Sequence, residues 1–156
     1  MRALLLAALA IGTPALAQQN CAANPPVPGF APGQAPLADH LSLGQAVSLS
    51  LKPVADVALA SPRKTTPGSY AGVFPWEVKT AGTYRIALSA GLWIDVVQEG
   101  VPLVSTEHQH GAPCSGVAKI VAFRLDAGRY EVQLSEAETR AVTAKVMRES
   151  VLPAKK

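Results

Sequence analysis

The sequence has few of the features from which an activity is usually assigned. It contains only two cysteines, carries a formal net charge of +3, and has no cluster of lysine and arginine side chains. Without a basic patch there is no electrostatic argument for binding to nucleic acid or to an anionic membrane surface. The sequence also has no glycine-rich phosphate loop, no Walker motif and no nucleophile elbow. It therefore gives no support to nucleotide-dependent enzymes or to serine hydrolases with this motif.

Long apolar runs are scarce too, and the single one lies near Met1. Arg2 is followed by the apolar run 3–11 and, after a Gly-Thr-Pro break, by a small-x-small motif that ends at Ala17. This pattern predicts a signal peptide over residues 1–17, with a buried helix as the alternative. Because a membrane-spanning helix needs about 20 apolar residues, no membrane insertion is expected. We expect a periplasmic or secreted protein.

The two cysteines, Cys21 and Cys114, follow the predicted signal peptide. Exported proteins fold where thiols are oxidised, so we predict a disulfide between them. The bond would close a loop of about 90 residues, for which chain entropy gives a stabilisation of about 4 kcal/mol. Two free thiols, or one cysteine acting as a metal ligand, are the alternatives.

Proline density separates an arm from the rest of the chain. Residues 24–36 contain five prolines and two glycines, which predicts an extended arm over residues 18–38. Beyond it, apolar and polar residues alternate with period two. About eight or nine short strands are predicted to form a single β-sandwich or jelly roll over residues 39–148, followed by a flexible tail, 149–156.

The strands are assigned from this alternation, and the turns from glycine, proline and charged residues. Loops are predicted at residues 61–69 and 106–116, and a hairpin tip at Glu136 and Glu138. Pro75 predicts a bulge or an edge position within its strand. The predicted strands are residues 47–51, 56–60, 70–78, 84–88, 92–97, 101–105, 117–125, 130–134 and 140–147.

One nine-residue pattern occurs twice. Residues 81–89 (AGTYRIALS) and 127–135 (AGRYEVQLS) share the pattern AGxYx(I/V)xLS. In each copy a glycine reverses the chain, and the tyrosine, the β-branched residue and the leucine then share one apolar face. We predict two equivalent hairpin corners of one sandwich.

The segment from Trp76 to Asp95, WEVKTAGTYRIALSAGLWID, resembles the core of bacterial pre-peptidase C-terminal domains and related jelly-roll accessory modules. The resemblance covers about half of the chain after the signal peptide and implies a secreted β-sandwich. Its motif is structural and implies no reaction. The whole chain also resembles small exported proteins of alphaproteobacteria that are labelled homogentisate 1,2-dioxygenase. That enzyme family is built on a cupin fold and holds iron with two histidines and one glutamate.

The residues with metal-binding chemistry concentrate in the predicted loop 106–116. Side chains two apart on an extended segment point the same way, so His108 and His110 are predicted to chelate one ion while Glu107 points away. Such a pair suits Zn, Cu, Ni or Fe, and a carboxylate from a loop would complete a facial triad with open positions. His40 would join if the arm folds over this loop. The alternative is that both imidazoles are solvated in a polar loop.

Trp76 and Trp93 are candidates for a platform on which a small ligand such as a sugar stacks, although aromatic residues at such strand positions more often pack in a core or on a sheet face. Taken together, the sequence predicts a non-catalytic exported protein that binds a partner protein, a small ligand or a transition metal ion through residues 106–116. The rival hypothesis is a small metal-dependent enzyme that uses the same histidine and glutamate side chains, as the dioxygenase resemblance implies.

Overall fold

A computed structural model describes residue 21, residues 25–60 and residues 65–150. The predicted signal peptide and residues 151–156 of the predicted tail lie outside the described residues. The regular elements in the described part are β-strands, apart from a 3₁₀ turn at Val54–Asp56. They form two sheets of six and five strands with a shared apolar core, which confirms the predicted β-sandwich. In these same residues no helix is long and apolar enough to cross a membrane.

Strands that are distant in sequence are neighbours in both sheets. The six-stranded sheet has the order β1 (Leu37–Ala38), β2 (Ala46–Ser50), β11 (Ala141–Arg148), β5 (Gly82–Leu88), β9 (Lys119–Leu125), β8 (Glu107–His110). The five-stranded sheet has the order β3 (Lys52–Pro53), β4 (Tyr70–Val78), β10 (Gly128–Ala137), β6 (Trp93–Gln98), β7 (Val101–Pro102). Pairing is antiparallel except for β1 with β2.

The predicted alternation places one face of each sheet in the core. Each copy of the repeated pattern contributes a tyrosine, a β-branched residue and a leucine, all at most 4% exposed. Burial of an aliphatic or aromatic side chain of this size contributes about 1.5–3 kcal/mol, which makes the alternation decisive for strand formation. These side chains are Tyr84, Ile86, Leu88, Tyr130, Val132 and Leu134.

The two copies of the pattern occupy equivalent places in facing sheets. Tyr84 in β5 lies opposite Phe123 of β9, just as Tyr130 in β10 lies opposite Trp76 of β4. The two corners are therefore equivalent, as predicted. They are not the predicted hairpins, because each joins a strand of one sheet to a strand of the other. The connection along the chain from Trp76 to Tyr84 is one residue longer than the connection from Phe123 to Tyr130. This extra residue explains why the sequence similarity ends upstream of the glycines.

Each repeated tyrosine closes its own corner with a hydrogen bond. The hydroxyl of Tyr84 donates to the carbonyl oxygen of Thr80 at 2.5 Å. The hydroxyl of Tyr130 donates to the backbone carbonyl oxygen of Asp126 at 3.0 Å. Both bonds span four residues. The Trp76 ring packs against both tyrosines, with ring centroids 5.3 and 6.3 Å away. The polar tip of each buried tyrosine is thus satisfied next to an aromatic cluster.

The disulfide prediction is confirmed. Cys21 and Cys114 are bonded, with Cα atoms 5.3 Å apart across a sequence separation of 93. A long-range disulfide indicates an oxidising, non-cytoplasmic setting. Close by, the backbone N–H of Val27 donates to the carbonyl oxygen of Ser115 at 2.8 Å. The start of the arm is therefore fastened beside the loop that holds Cys114.

The arm forms a third layer over the outer face of the six-stranded sheet. Phe30 is buried there together with Ala46, Ala87 and Val117. Gly29 has a φ of +90°, and a Cβ atom on it would overlap the side chain of Ala46, so the backbone needs glycine at this close approach. The arm also turns between Val27 and Phe30, whereas the sequence predicted an extended segment.

The arm also contributes a strand to the sheet. β1 lies just before the predicted domain boundary at residue 39, so the sheet begins two residues earlier than expected. At the other boundary, the backbone N–H of Glu149 still donates to Thr83 at 2.9 Å.

Two predicted strands differ from the structure. Residues 56–60 form no strand: Asp56 ends the 3₁₀ turn, and the backbone N–H of Ala60 donates to the side chain of Gln133 at 2.9 Å. Of residues 101–105, only Val101–Pro102 is a strand. The predicted loop 61–69 is a loop over residues 65–69, and residues 61–64 lie outside the described residues.

The Pro75 prediction resolves to an edge position. Pro75 lies opposite Glu131 of β10 with no shift in register, which excludes a bulge at this point. On its other side, among the described residues, β4 meets only a single bridge between Leu41 and Trp76 here. The carbonyl of Pro75 accepts the N–H of Leu41 at 3.2 Å. Proline lacks an N–H, and an edge position needs none from it. The bulge lies instead near the end of β10, where Glu136 has a φ of 59°.

Candidate functional site

The predicted histidine pair lies on β8, the last strand of the six-stranded sheet among the described residues. The prediction of one loop over residues 106–116 is therefore wrong, because residues 107–110 pair with β9 in antiparallel register. All four β8 side chains are exposed, which is typical of a polar edge strand. The following loop starts at Gly111, where a Cβ atom would overlap the carbonyl oxygen of Val117. Only glycine allows this close approach.

His108 and His110 project from the same side of β8. Their rings are 5.9 Å apart between centroids and lie at 72° to each other. His108 lies opposite the buried Val121 and His110 opposite Lys119. Both imidazoles are thus directed toward the open side of the sandwich core, between the two sheets. The period-two argument predicted this common orientation correctly.

A groove lies beside the two histidines, between the edges of the sheets. It combines a cavity of about 590 Å³ with one of about 240 Å³, and both are bordered by Trp93, His108 and Lys119. His110 and Glu136 border the smaller cavity. We call this combined space the histidine groove. Trp93 is 48% exposed on its wall.

The charged groups of the histidine groove have defined contacts. The Lys119 ammonium group donates to the carbonyl of Leu92 at 2.8 Å and lies 5.0 Å from the centre of the Trp93 ring. The Glu136 carboxylate accepts hydrogen bonds from the hydroxyl and the N–H of Thr66, which hold its pKa below the usual glutamate range. Asp95, buried in β6, also borders the larger cavity. The groove therefore contains one ammonium group and two carboxyl groups besides the imidazoles.

The other predicted metal ligands lie elsewhere. Glu107 is on the opposite face of β8, where its carboxylate accepts from Arg85 at 2.8 Å. Arg85 also donates to Glu149 at 2.5 Å, so this arginine of β5 links β8 to the residue that follows β11 on the outer surface. Within residues 21, 25–60 and 65–150, no group of three or more His, Cys, Asp or Glu side chains is close enough to hold a metal ion. The two-histidine, one-glutamate set required for iron does not fit these residues.

His40 does not border the histidine groove, so the prediction that it joins His108 and His110 is wrong. Its ring bonds to Asp39 at 2.8 Å, which lowers the pKa of that carboxyl group. His40 borders a different cavity, next to Tyr84 and Tyr130. His40, which follows the arm, therefore lies at the opposite end of the strands from His110. Cys114 likewise cannot serve as a ligand, because it is bonded to Cys21.

The predicted tryptophan platform is also not formed. Trp76 is 3% exposed and belongs to the core, where it packs edge-on against Tyr84. Trp93 lies on the outer side of β6 at the histidine groove. The two tryptophan rings therefore lie at different ends of the sandwich and cannot form one platform. Core packing, the alternative interpretation, holds for Trp76.

Two cations at the cavities were missed by the sequence analysis. Lys119 begins the inward-facing row of β9, and Arg148 ends the inward-facing row of β11. Each continues an alternation of buried apolar residues by one charged position. This charged position at the end of an apolar row was visible in the sequence. It is a usable signal, because a cation there indicates a solvent-accessible cavity at the end of the core.

Comparisons of this chain with protein-family models, with curated proteins and with solved structures give no match.

Proposed function

We propose that this protein is a non-catalytic, exported β-sandwich that binds a transition metal ion through His108 and His110 of β8. The observation that carries the proposal is the pair of exposed imidazoles on one side of an edge strand, 5.9 Å apart. Metal–nitrogen bonds of 2.0–2.1 Å place two rings on one tetrahedral ion with their centroids roughly 5 Å apart. A small side-chain adjustment therefore brings both rings onto one ion.

The strand supports this pair in two ways. Antiparallel pairing with β9 fixes the backbone of both histidines, and the disulfide at Cys114 restrains the loop that follows them. Pre-organisation of this kind lowers the entropy that binding would otherwise cost. Imidazole ligands suit Cu²⁺ and Zn²⁺, and Cu²⁺ is the stronger binder of the two by the general order of divalent metals. Water would supply the remaining ligands at such an open position.

Export is part of the same proposal. The disulfide supports a non-cytoplasmic setting, and the predicted signal peptide supports delivery to the periplasm or the exterior. The resemblance to pre-peptidase C-terminal domains stays a prediction about family. Nothing in the described residues favours the dioxygenase alternative, because Glu107 is bound to Arg85 on the other face of β8.

The test is a titration of the oxidised protein with Cu²⁺ and Zn²⁺. Binding is monitored by calorimetry and by the two indole N–H signals in NMR spectra. Cu²⁺ is paramagnetic, so it should broaden the signal of Trp93, which borders the histidine groove, and leave that of Trp76 sharp. H108A and H110A should each abolish tight binding. Affinity should fall as the pH is lowered, since protons compete with the metal for imidazole nitrogen.

Two variants serve as matched controls. H40A removes the remaining histidine of the chain and should bind as the parent does. K119Q removes a positive charge from the groove, so metal affinity should stay the same or rise. Equal Cu²⁺ binding by the parent and by the H108A/H110A double variant would refute the proposal.

A further inference from the structure

A second cavity, at the opposite end of the strands, has the features of a small-molecule site. It has a volume of about 700 Å³ and lies where Tyr84, Tyr130 and Trp76 close the core. We call it the tyrosine-end cleft. Small-molecule sites typically measure about 300–1,000 Å³ and combine apolar walls with a few converging polar groups. The proposed metal site plays no part in it.

The walls of this cleft are apolar. Its floor is the edge of the aromatic cluster, in which Trp76 contacts both tyrosines. One wall is the segment that crosses from Leu41, bridged to Trp76, to Leu43, bridged to Val146. Leu43 is 56% exposed at the rim. A large apolar side chain kept in water beside an apolar cavity offers a contact surface to a ligand.

The rim of the cleft is positively charged. Lys79, Arg129 and Arg148 border it together with a single carboxylate, that of Glu77, and with His40. Three fixed cations against one anion give a local excess of positive charge. A cavity with low-dielectric walls concentrates such a field and attracts an anion.

Arg148 is the best-placed of these cations. It continues the inward-facing row of β11 and pairs with Tyr84 across the strands, so its side chain starts on the core side of the sheet. Its guanidinium donates to the carbonyl of Ala81 at 2.8 Å and lies over Gly82, where a Cβ atom would come within 2.9 Å of it. A guanidinium has five N–H donors, and this bond uses one of them. The glycine of the repeated pattern thus makes room for an arginine at the cleft.

We propose that the tyrosine-end cleft binds a small organic acid with a flat apolar body. Arg148 holds the acid group, because a guanidinium pairs with a carboxylate through two parallel hydrogen bonds. The apolar body lies against Leu43, Pro75 and the edge of Trp76. The site is distinct from the histidine groove, and each can fail without the other.

The test uses three acids, 1-naphthoate, indole-3-carboxylate and decanoate, against the neutral 1-naphthalenemethanol and the cation 1-naphthylmethylammonium. Binding is followed by calorimetry and by the indole N–H signals of the two tryptophans. At least one acid should bind more tightly than both uncharged and cationic probes. It should shift the Trp76 signal and leave the Trp93 signal in place.

Variants on one strand separate the cleft from a general charge effect. R148Q should weaken binding of that acid by about tenfold or more, the usual worth of a charge-assisted hydrogen bond. K145Q removes a cation of β11 that lies opposite Ala87 on the outer face, and should change the affinity less than about twofold. R148K keeps the charge and should recover part of the loss, which guards against a mere folding defect. The proposal is overturned if no acid binds, if the neutral probe binds equally well, if R148Q and K145Q behave alike, or if the shifted signal is that of Trp93.

Discussion

At the scale of single residues, the two repeated tyrosines show how one side chain meets two requirements. Their rings fill the core beside Trp76, and their hydroxyls satisfy backbone carbonyls at the corners of the chain. Phenylalanine would fill the same volume but leave those carbonyls without a donor. The tyrosines belong to the nine-residue pattern, and each acceptor, Thr80 or Asp126, lies one residue before it.

We expect Y84F and Y130F each to lower the free energy of unfolding by about 1 kcal/mol, the net worth of a buried hydrogen bond. The measurement is urea denaturation of the oxidised protein. Y70F is the control, because the half-buried Tyr70 hydroxyl accepts only a 3.4 Å bond from the exposed Arg140. Its loss should stay below about 0.5 kcal/mol. Equal losses for all three variants would show that the corner bonds have no special role.

At the scale of elements, alternation predicted the strands that bury a face and missed β8, whose four side chains are all exposed. Strands β4, β5, β9, β10 and β11 were predicted because every second residue is apolar and buried. β8 was missed because its sequence, EHQH, has no apolar residue to bury. It forms through pairing with β9 and through the Arg85–Glu107 ion pair, neither of which leaves a local signal in the sequence.

The candidate site was predictable to a similar extent. Period two sufficed to place His108 and His110 on one side, because this geometry is local. The positions of His40 and Trp76 depend on which face of a sheet is covered and on where the arm crosses. Those are long-range properties, and one sequence does not determine them.

The arm and the disulfide should act as one fastening. Phe30 buries its ring on the outer face of the six-stranded sheet, and Cys21 fixes the same segment covalently. We expect F30A to cost about 3 kcal/mol in the oxidised protein. In a C21S/C114S background it should cost less by about 1 kcal/mol or more, since the arm is then already loosened.

Unfolding free energies of the four proteins in this double-mutant cycle give the coupling directly. V142A, in the main core, should cost the same amount with and without the disulfide. An F30A cost that does not depend on the cysteines would mean that the ring and the disulfide stabilise the fold separately.

At the scale of the whole molecule, the chain passes repeatedly from one sheet to the other. The connections from β4 to β5, from β5 to β6, from β9 to β10 and from β10 to β11 all change sheets. Neither sheet is formed by one continuous segment of the chain, so neither sheet can assemble independently of the other. Partial unfolding of one sheet would open the shared core.

We therefore expect one cooperative transition. W93F keeps Trp76 as a reporter of the tyrosine end, and W76F keeps Trp93 as a reporter of the histidine groove. In each variant the fluorescence midpoint in urea should coincide with that variant's own circular dichroism midpoint, the usual sign of two-state unfolding. Separate midpoints in either variant would reveal a sheet or an edge that unfolds by itself.

The separation of 93 residues between the bonded cysteines also sets an order of events during synthesis. A ribosome adds Cys21 before Cys114, so the Cys21 thiol has no native partner until residue 114 has been added and both have reached an oxidant. During that interval Cys21 is open to capture by any other thiol, as a mixed disulfide. Such adducts are released only by attack of a second thiolate. The folded chain brings Cys114 to Cys21, and attack of the Cys114 thiolate on such an adduct would release the captured thiol and form the native disulfide.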